Sequence, residues 1–390
     1  MSLVDRDAVP PTDAARRMRA WMVEIALPLW AGAGYDRARG GFHERLGFDG
    51  APDQGCPRRL MVQARQIYVY AHAAALGWYP PGKALALEAL DALLSRYRSP
   101  DGAPGYVFSV SPAGSVADPL RDTYGHTFLL LAFGWLARTT GDAQVRALID
   151  DVLAFFDRHL ADGDGTYREG VPSRLPRRQN PHMHAFEAML ALQETIAHPQ
   201  ALGRAAGLRA LLEARFLDPV TGRLGEYFGA DWQPVSPPAP VEPGHHAEWS
   251  WLIARHAELS AQAPDPQARA QFEAALSHQD RLRGLLPDTL SADGQPATTF
   301  RCWPQTEFAK ACITEHAAGR AGAAEQAAAM LERVRARYLS GMLPGGWTDQ
   351  IDASGRPLAA FMPASTLYHL FTVTAEAERV LLRSPSGRIP

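Results

Sequence analysis

The sequence predicts an all-α chain folded as an (α/α)6 barrel, with residues 1–390 forming one domain. Two observations carry that expectation. Mostly apolar helical stretches alternate with amphipathic ones, and each apolar stretch has a polar residue near its N-terminal end. Those residues, Arg65, His126, His184, His245, Glu307 and His369, are separated by 61, 58, 61, 62 and 62 positions. A repeat of about 60 residues accommodates two helices and a connecting hairpin. Six such units give six inner helices ringed by six outer ones, and a helix apolar nearly all round belongs inside.

The first helix is expected over 12–31, capped by Thr12 or Asp13, with Met18, Met22, Ile25 and Leu29 at helical spacing. Pro28 should kink or end it, because proline lacks the amide the helix ladder needs. This helix would complete the outer ring by pairing with the last inner one. Residues 40–52 predict a short hairpin around Asp49-Gly50. A helix apolar on most sides follows over 58–78, then an amphipathic partner over 83–98. The same pair recurs over 118–139 and 143–160, 180–196 and 201–217, 243–256 and 266–282, and 297–318 and 323–339, with a last inner helix over 363–382. Gly-rich segments such as 102–114 and 162–172 separate the units, and a Pro-rich loop, 234–242, precedes residue 243.

In such a barrel, equivalent ends of the inner helices point the same way, so the six polar residues should meet at one mouth. A His or Arg on an apolar helix is costly to bury unless paired or wetted, and six in phase point to a pocket. His184–Glu187 and His245–Glu248 share a His-x-x-Glu spacing that places each pair on one helical face. His182 and His246 should face away from the pocket, since neighbouring positions lie roughly 100° apart. Trp249, Trp251, Trp303, Tyr124 and Tyr68 fall near the same end, where aromatic faces suit sugar C–H faces.

Composition removes several function classes. The charge is balanced, 39 Lys+Arg against 42 Asp+Glu, and dispersed, which gives no footprint for nucleic acid or an anionic membrane. Arg174, Arg177 and Arg178 form the one tight cluster and read as a solvated loop. Cys56, Cys302 and Cys312 are too scattered for a disulfide framework and read as small buried hydrophobes. The N-terminal residues contain acids and no apolar core, unlike a secretory signal, and by elimination the expected location is cytoplasmic. No His-Glu-x-x-His helix suggests a zinc site, and no GxGxxG or P-loop suggests a nucleotide cofactor, so neither metal nor cofactor is expected. Glu248 and Glu307 could serve a glycosidase, but a pocket richer in histidine suits proton shuttling near neutral pH better.

The segments RLMVQARQIYVYAHA from Arg59, NPHMHAFEA, PGHHAEW, WPQTE and PASTLYHL are similar to the motifs of the N-acylglucosamine 2-epimerase family. The resemblance spans about residues 15 to 382 and implies an (α/α)6 barrel and sugar isomerase or epimerase chemistry. It implies that Arg65 holds substrate oxygens and steadies an enediolate, and that Asn180 and His184 line the pocket. It further implies that His245 and Glu248 act in ring opening and proton transfer, that Trp303 and Glu307 border the sugar, and that His369 moves the C2 proton. Tyr124 and His126 fall where several relatives have Tyr-x-Gln. The C-terminal stretch from Gly345 resembles the mannose-isomerase-like branch. The implied reaction is D-mannose to D-fructose through a cis-enediolate, with 2-epimerisation or a non-catalytic sugar-binding role as alternatives. The implied partner is a monosaccharide; the choice between monomer and homodimer stays open.

Overall fold

The computed structural model describes residues 9–235, 238–341 and 343–382. The N-terminal residues read above for a signal, up to residue 8, and Ser236 and Pro237 of the Pro-rich loop lie outside the described residues. The helices are α1 (Pro11–Trp21), α2 (Leu27–Gly32), α3 (Leu60–Ala75), α4 (Gly82–Tyr97), α5 (Thr123–Thr140), α6 (Ala143–Phe155), α7 (Asn180–Ile196), α8 (Ala201–Leu211), α9 (Pro243–Leu259), α10 (Pro266–Ser277), α11 (Cys302–Ala317), α12 (Ala323–Tyr338) and α13 (Thr366–Ala377).

The inner ring is α3, α5, α7, α9, α11 and α13, each packed on the next, with α13 closing onto α3. Each of the first five packs on the outer helix that follows it, and α1 fills the remaining gap against α12 and α13. This is the (α/α)6 barrel that the repeat predicts. Burial follows the sequence pattern: α5 buries Phe128 to Ala137 without a break, whereas α6 buries Val145, Leu148, Ile149, Val152 and Leu153 at helical spacing.

Two expectations for the N-terminal region need correction. The first helix begins at Pro11, after Pro10, and neither Thr12 nor Asp13 caps it. Proline suits the first turn because that amide has no helical partner in any case. Pro28 does not end the helix: a π-helical turn, Met22–Ala26, precedes it and α2 runs on to Gly32. The wider turn takes up the missing amide and the ring's bulk. The short hairpin at 40–52 is present: Leu46 bridges Pro52 antiparallel across the turn at 47–50, and the strand β1 (Arg45–Gly47) pairs in addition with residues 361–363.

The remaining strands are β2 (Arg58–Arg59), β3 (Ser109–Val110), β4 (Val116–Asp118), β5 (Arg121–Asp122), β6 (Gly170–Val171), β7 (Arg177–Arg178), β8 (Tyr227–Phe228), β9 (Thr299–Arg301), β10 (Gln350–Asp352) and β11 (Phe361–Pro363). A short extended segment enters each inner helix and pairs antiparallel with the loop of the next unit. The pairs are β2–β3, β5–β6, β7–β8, Val241–Leu290, β9–β10 and β11–β1. Six clasps thus run head to tail round the mouth and close on themselves.

A set of buried polar side chains binds this layer to the helices. Phe42 N–H donates to Gln63 Oε1 (2.7 Å) and its carbonyl accepts from Gln63 Nε2 (2.9 Å). Gln305 does the same with both groups of Leu286, at 2.8 Å each. Tyr106 N–H donates to His126 Nε2 (3.2 Å), and Tyr167 N–H to His182 Nε2 (2.9 Å). The Nδ1–H of each histidine is left to donate to a carbonyl four residues back, Asp122 O at 2.7 Å and Arg178 O at 3.1 Å. Loop amides that would otherwise be buried without partners are satisfied in this way.

Candidate active site

The N-terminal ends of the inner helices surround a cavity of about 390 Å³. Every inner helix contributes to its wall: Arg65 from α3, Tyr124 from α5, Asn180 and His184 from α7, His245 and Glu248 from α9, Trp303 from α11, Thr366 and His369 from α13. The entering segments add Glu242, Arg301, Asp349 and Phe361. A second cavity, about 80 Å³, lies between the C-terminal halves of the same helices and is lined by Tyr68, Trp135, Glu187 and Trp251 among others. By the same measure it has about a fifth of the room of the first cavity.

His369 is 7% exposed, and its Nδ1–H faces Glu307 Oε1 at 2.8 Å. Its Nε2 carries no hydrogen bond among the described residues. Burial holds its pKa well below the ordinary histidine value, and the charges of Arg65 and Lys310 add to that, so the ring is neutral. Glu307 is fully buried behind it and pairs with Lys310 Nζ at 2.6 Å. Lys310, also fully buried, sits 3.7 Å from the Trp251 ring centroid.

His184 repeats the arrangement. Its Nδ1 is 2.8 Å from Glu187 Oε2, and its Nε2 is 3.9 Å from Glu248 Oε1, beyond hydrogen-bond reach. Glu187 also accepts a short hydrogen bond from Tyr368 Oη. Burial again lowers the His184 pKa, only partly offset by Glu187. Glu248 is buried on the cavity wall near Glu307 and Glu187; burial first, then the Glu307 charge, push its pKa well up, which makes it a carboxylic acid.

His245 is different. Its Nδ1 lies 2.9 Å from both oxygens of Glu226, and Glu242 is close by. Burial alone would lower its pKa, but Glu226 and Glu242 reverse that and raise it to about 10, so it is an imidazolium. Asn180 Nδ2 lies 3.0 Å from its Nε2 and Asn180 Oδ1 has no partner. A half-turn of the amide gives the imidazolium an acceptor and Oδ1 a donor, and this orientation fits the charge. Gln179 Nε2 donates to the second Glu226 oxygen at 3.0 Å.

Arg65 donates to Tyr124 Oη (2.8 Å) and lies 4.2 and 4.5 Å from the ring centroids of Phe128 and Tyr368. Among the described residues it forms no ion pair with a carboxylate, and its Nε is buried without a hydrogen-bond partner. A guanidinium held by aromatic faces keeps donors available for an anionic oxygen.

Nine of the ten residues singled out from the sequence thus gather here, and one does not. His126 is fully buried outside the cavity, stacked on Phe155 at 4.6 Å, with both ring nitrogens bonded to backbone. The residue of that helix on the cavity wall is Tyr124, two positions earlier. Glu307 is not on the wall; it stands behind His369. His182 and His246 face away as expected, His246 bonding Gln271 at 2.6 Å. Of the aromatic residues, Trp303 and Tyr124 line the cavity, Trp251 and Tyr68 line the smaller one, and Trp249 is core, donating to Gln179. Arg177 and Arg178 are ion-paired with Asp162 and Glu169 rather than solvated. Cys302 and Cys312 are buried, but Cys56 is partly exposed. Lys310, Glu226, Glu242 and Asp349 were missed. Of these only Lys310 had a signal, a lysine three residues after Glu307 within an apolar helix.

Three groups, His184–Glu187–Glu248, Glu226–Glu242–His245 and Glu248–Glu307–His369, each have ligand-type atoms within 4.8 Å of one another. Among the described residues no helix is long and apolar enough to cross a membrane.

Comparison with known proteins gives a consistent result. The family model of N-acylglucosamine 2-epimerase (GlcNAc 2-epimerase) matches residues 40–373. A protein named mannose-6-phosphate isomerase from Rhizobium meliloti (strain 1021) is 34% identical over 386 residues, covering 95% of this chain and 98% of its own. A D-mannose isomerase from Thermobifida fusca is 27% identical, covering 73% and 77%. The solved cellobiose 2-epimerase from Spirochaeta thermophila DSM 6192 superposes with a TM-score of 0.87 at 22% identity, over 98% of this chain and 100% of that one. On the match of its motifs and of nearly its whole length, the chain belongs to the N-acylglucosamine 2-epimerase family.

Proposed function

We propose that the protein is an aldose–ketose isomerase that interconverts D-mannose and D-fructose through a cis-enediolate. One observation carries the reading: His369 is a neutral imidazole whose Nδ1–H is committed to Glu307, leaving the Nε2 lone pair for the cavity that Arg65 also lines. His245, a cation, with Glu248, a neutral acid, donates a proton to the ring oxygen as the C1–O5 bond breaks, and the anomeric O1–H gives its proton to water as the C1 carbonyl forms, which opens the pyranose. His369 Nε2 then takes the proton from C2. The C–H electron pair becomes the C1–C2 double bond, and the negative charge moves to O1, where Arg65 meets it. The imidazolium returns the proton to C1 as the C2–O2 carbonyl forms and the O2 proton passes to the anionic O1, which gives the ketose. The relatives named mannose-6-phosphate isomerase and D-mannose isomerase support this direction.

His184 supports a second reading. It too is neutral, with Nδ1 held by Glu187, and once its Nε2 has taken a proton from solvent it could deliver that proton from a second inner helix to the opposite face of C2. That outcome is 2-epimerisation. The substrate we propose is the free sugar. Arg177 and Arg178 are already paired, and on the rim two carboxyl groups, Glu242 and Asp349, accompany the single guanidinium of Arg301, a mixture that suits hydroxyls better than a phosphate.

The test is incubation with mannose and with mannose 6-phosphate in D2O. The expected product is fructose from free mannose, with part of the original C2 hydrogen at C1 and little glucose. Glucose carrying deuterium at C2 as the main product establishes the epimerase. Faster turnover of mannose 6-phosphate overturns the choice of substrate.

A further inference from the structure

The chemistry above uses His369 and Glu307 but leaves Lys310 without a task. A lysine with no exposed side-chain area is unusual enough to require a reason. Its Nζ lies 2.6 Å from Glu307 Oε2, on the oxygen that His369 does not use; His369 Nδ1 is 2.8 Å from Glu307 Oε1. The three side chains therefore form a line from the barrel interior to the cavity wall: ammonium, carboxylate, imidazole.

We propose that Lys310 is a positioning residue whose charge keeps Glu307 an anion, so that Glu307 accepts the His369 Nδ1–H and fixes the Nε2 lone pair toward the substrate. The inference rests on His369 being the base.

The argument turns on what Glu307 does without the lysine. A fully buried carboxyl group favours its protonated form; burial holds the Glu307 pKa above its ordinary value even with Lys310 in place, and Lys310 is the main influence in the other direction. Once protonated, Glu307 can donate to His369 Nδ1 instead of accepting from it. The neutral imidazole then carries its proton on Nε2, with its lone pair toward Glu307. The residue stays in place and the fold stays closed, but the base faces the wrong way. His184 on α7 and Arg65 on α3 also face Glu307, and both persist in the variant. Neither contacts Glu307 as Lys310 does, so neither replaces it.

Lys310→Met retains most of the side chain's length and removes the charge. Its kcat is expected to fall about 100-fold or more at neutral pH, the scale of one misdirected general base, with KM changed less than about threefold. As pH rises and Glu307 ionises, kcat of the variant should climb, where the unaltered enzyme is flat. Adding Glu307→Gln should restore part of the lost kcat. A glutamine carbonyl accepts from Nδ1–H without needing a counter-charge. Ring-nitrogen NMR of His369 should show the proton on Nδ1 in the unaltered protein and on Nε2 in Lys310→Met. If Lys310→Met does not accumulate folded, Lys310→Gln takes its place with the same readouts.

A kcat within about threefold of the unaltered enzyme overturns the proposal, as does an equal loss at every pH with no rescue by Glu307→Gln. Both outcomes are separable from failure of the underlying reading, which shows as substantial turnover by His369→Ala.

Discussion

Two rings of polar side chains occupy the first turns of the same inner helices, and they have opposite functions. One ring, Arg65, His184, His245 and His369, lines the cavity. The other, Gln63, His126, His182 and Gln305, turns outward and holds the entry loops by their backbone groups. Both contain histidines that are buried and in phase with the repeat. In the outward ring each histidine has both nitrogens bonded to backbone, whereas His184 and His369 have one nitrogen bonded to a carboxylate and the other toward the cavity. The number of nitrogens left uncommitted, rather than burial or sequence period, separates a base from a bolt.

The comparison can be tested most severely at its two extremes. His369→Ala should lower kcat by about 10³-fold, within the range for loss of a general base, with thermal stability nearly unchanged; steady-state kinetics and a melting curve check both. A pH profile tests the inward ring as a set. His369 must be neutral, and its lowered pKa makes it so throughout the neutral range; its acid limb lies below the ordinary value of about 6.5. His245 must be protonated, and with its pKa raised to about 10 its contribution is lost only above that. The rate should therefore be level from about pH 6 to 8, falling at more acid pH and, on the alkaline side, only near pH 10, unlike the rise from about pH 6 to 8 expected of a histidine titrating near 6.5.

The outward ring gives the reverse result. His126→Ala leaves the Tyr106 amide unpaired and should reduce stability by about 1–3 kcal/mol, read by denaturant unfolding. The kcat of the folded enzyme should stay within about twofold, since His126 touches no cavity residue whose chemistry the reaction uses. His182→Ala should behave alike through Tyr167. At the small end, chelation with EDTA should leave the rate unchanged. Restoration of a lost rate by one divalent ion would instead give the acid–histidine groups of the inward ring a metal to hold.

The helical repeat made most of this legible before any coordinates. A period that five intervals share specifies six units, and the polar residue of each unit marks the mouth. Its resolution, however, is one turn of helix. Within a turn, Tyr124 and His126 both fit the period, and the residue with richer chemistry drew the assignment although its ring faces outward. The same limit made Glu307 look like a wall residue when it stands one layer behind. Glu226, Glu242 and Asp349 were out of reach for another reason: they lie in loops and entering segments, where no periodicity relates a residue to the axis. Their positions depend on which segments clasp, and the most consequential clasp, β1 with β11, joins residues more than 300 apart.

That last clasp also governs when the site comes into being during synthesis. Residues 45–47 leave the ribosome more than 300 residues before their partners 361–363, which are followed directly by the helix bearing His369. Until then the emerging chain is an open arc of helix pairs, with the apolar flanks of α3 and α11 awaiting α13. Such an arc can gain helical structure as it grows, but it has neither a closed mouth nor a base. Termination before residue 361 therefore should not yield a weakened enzyme. It should yield an unclosed one, exposing the surface that α13 was to cover and suited to capture by a chaperone or a protease.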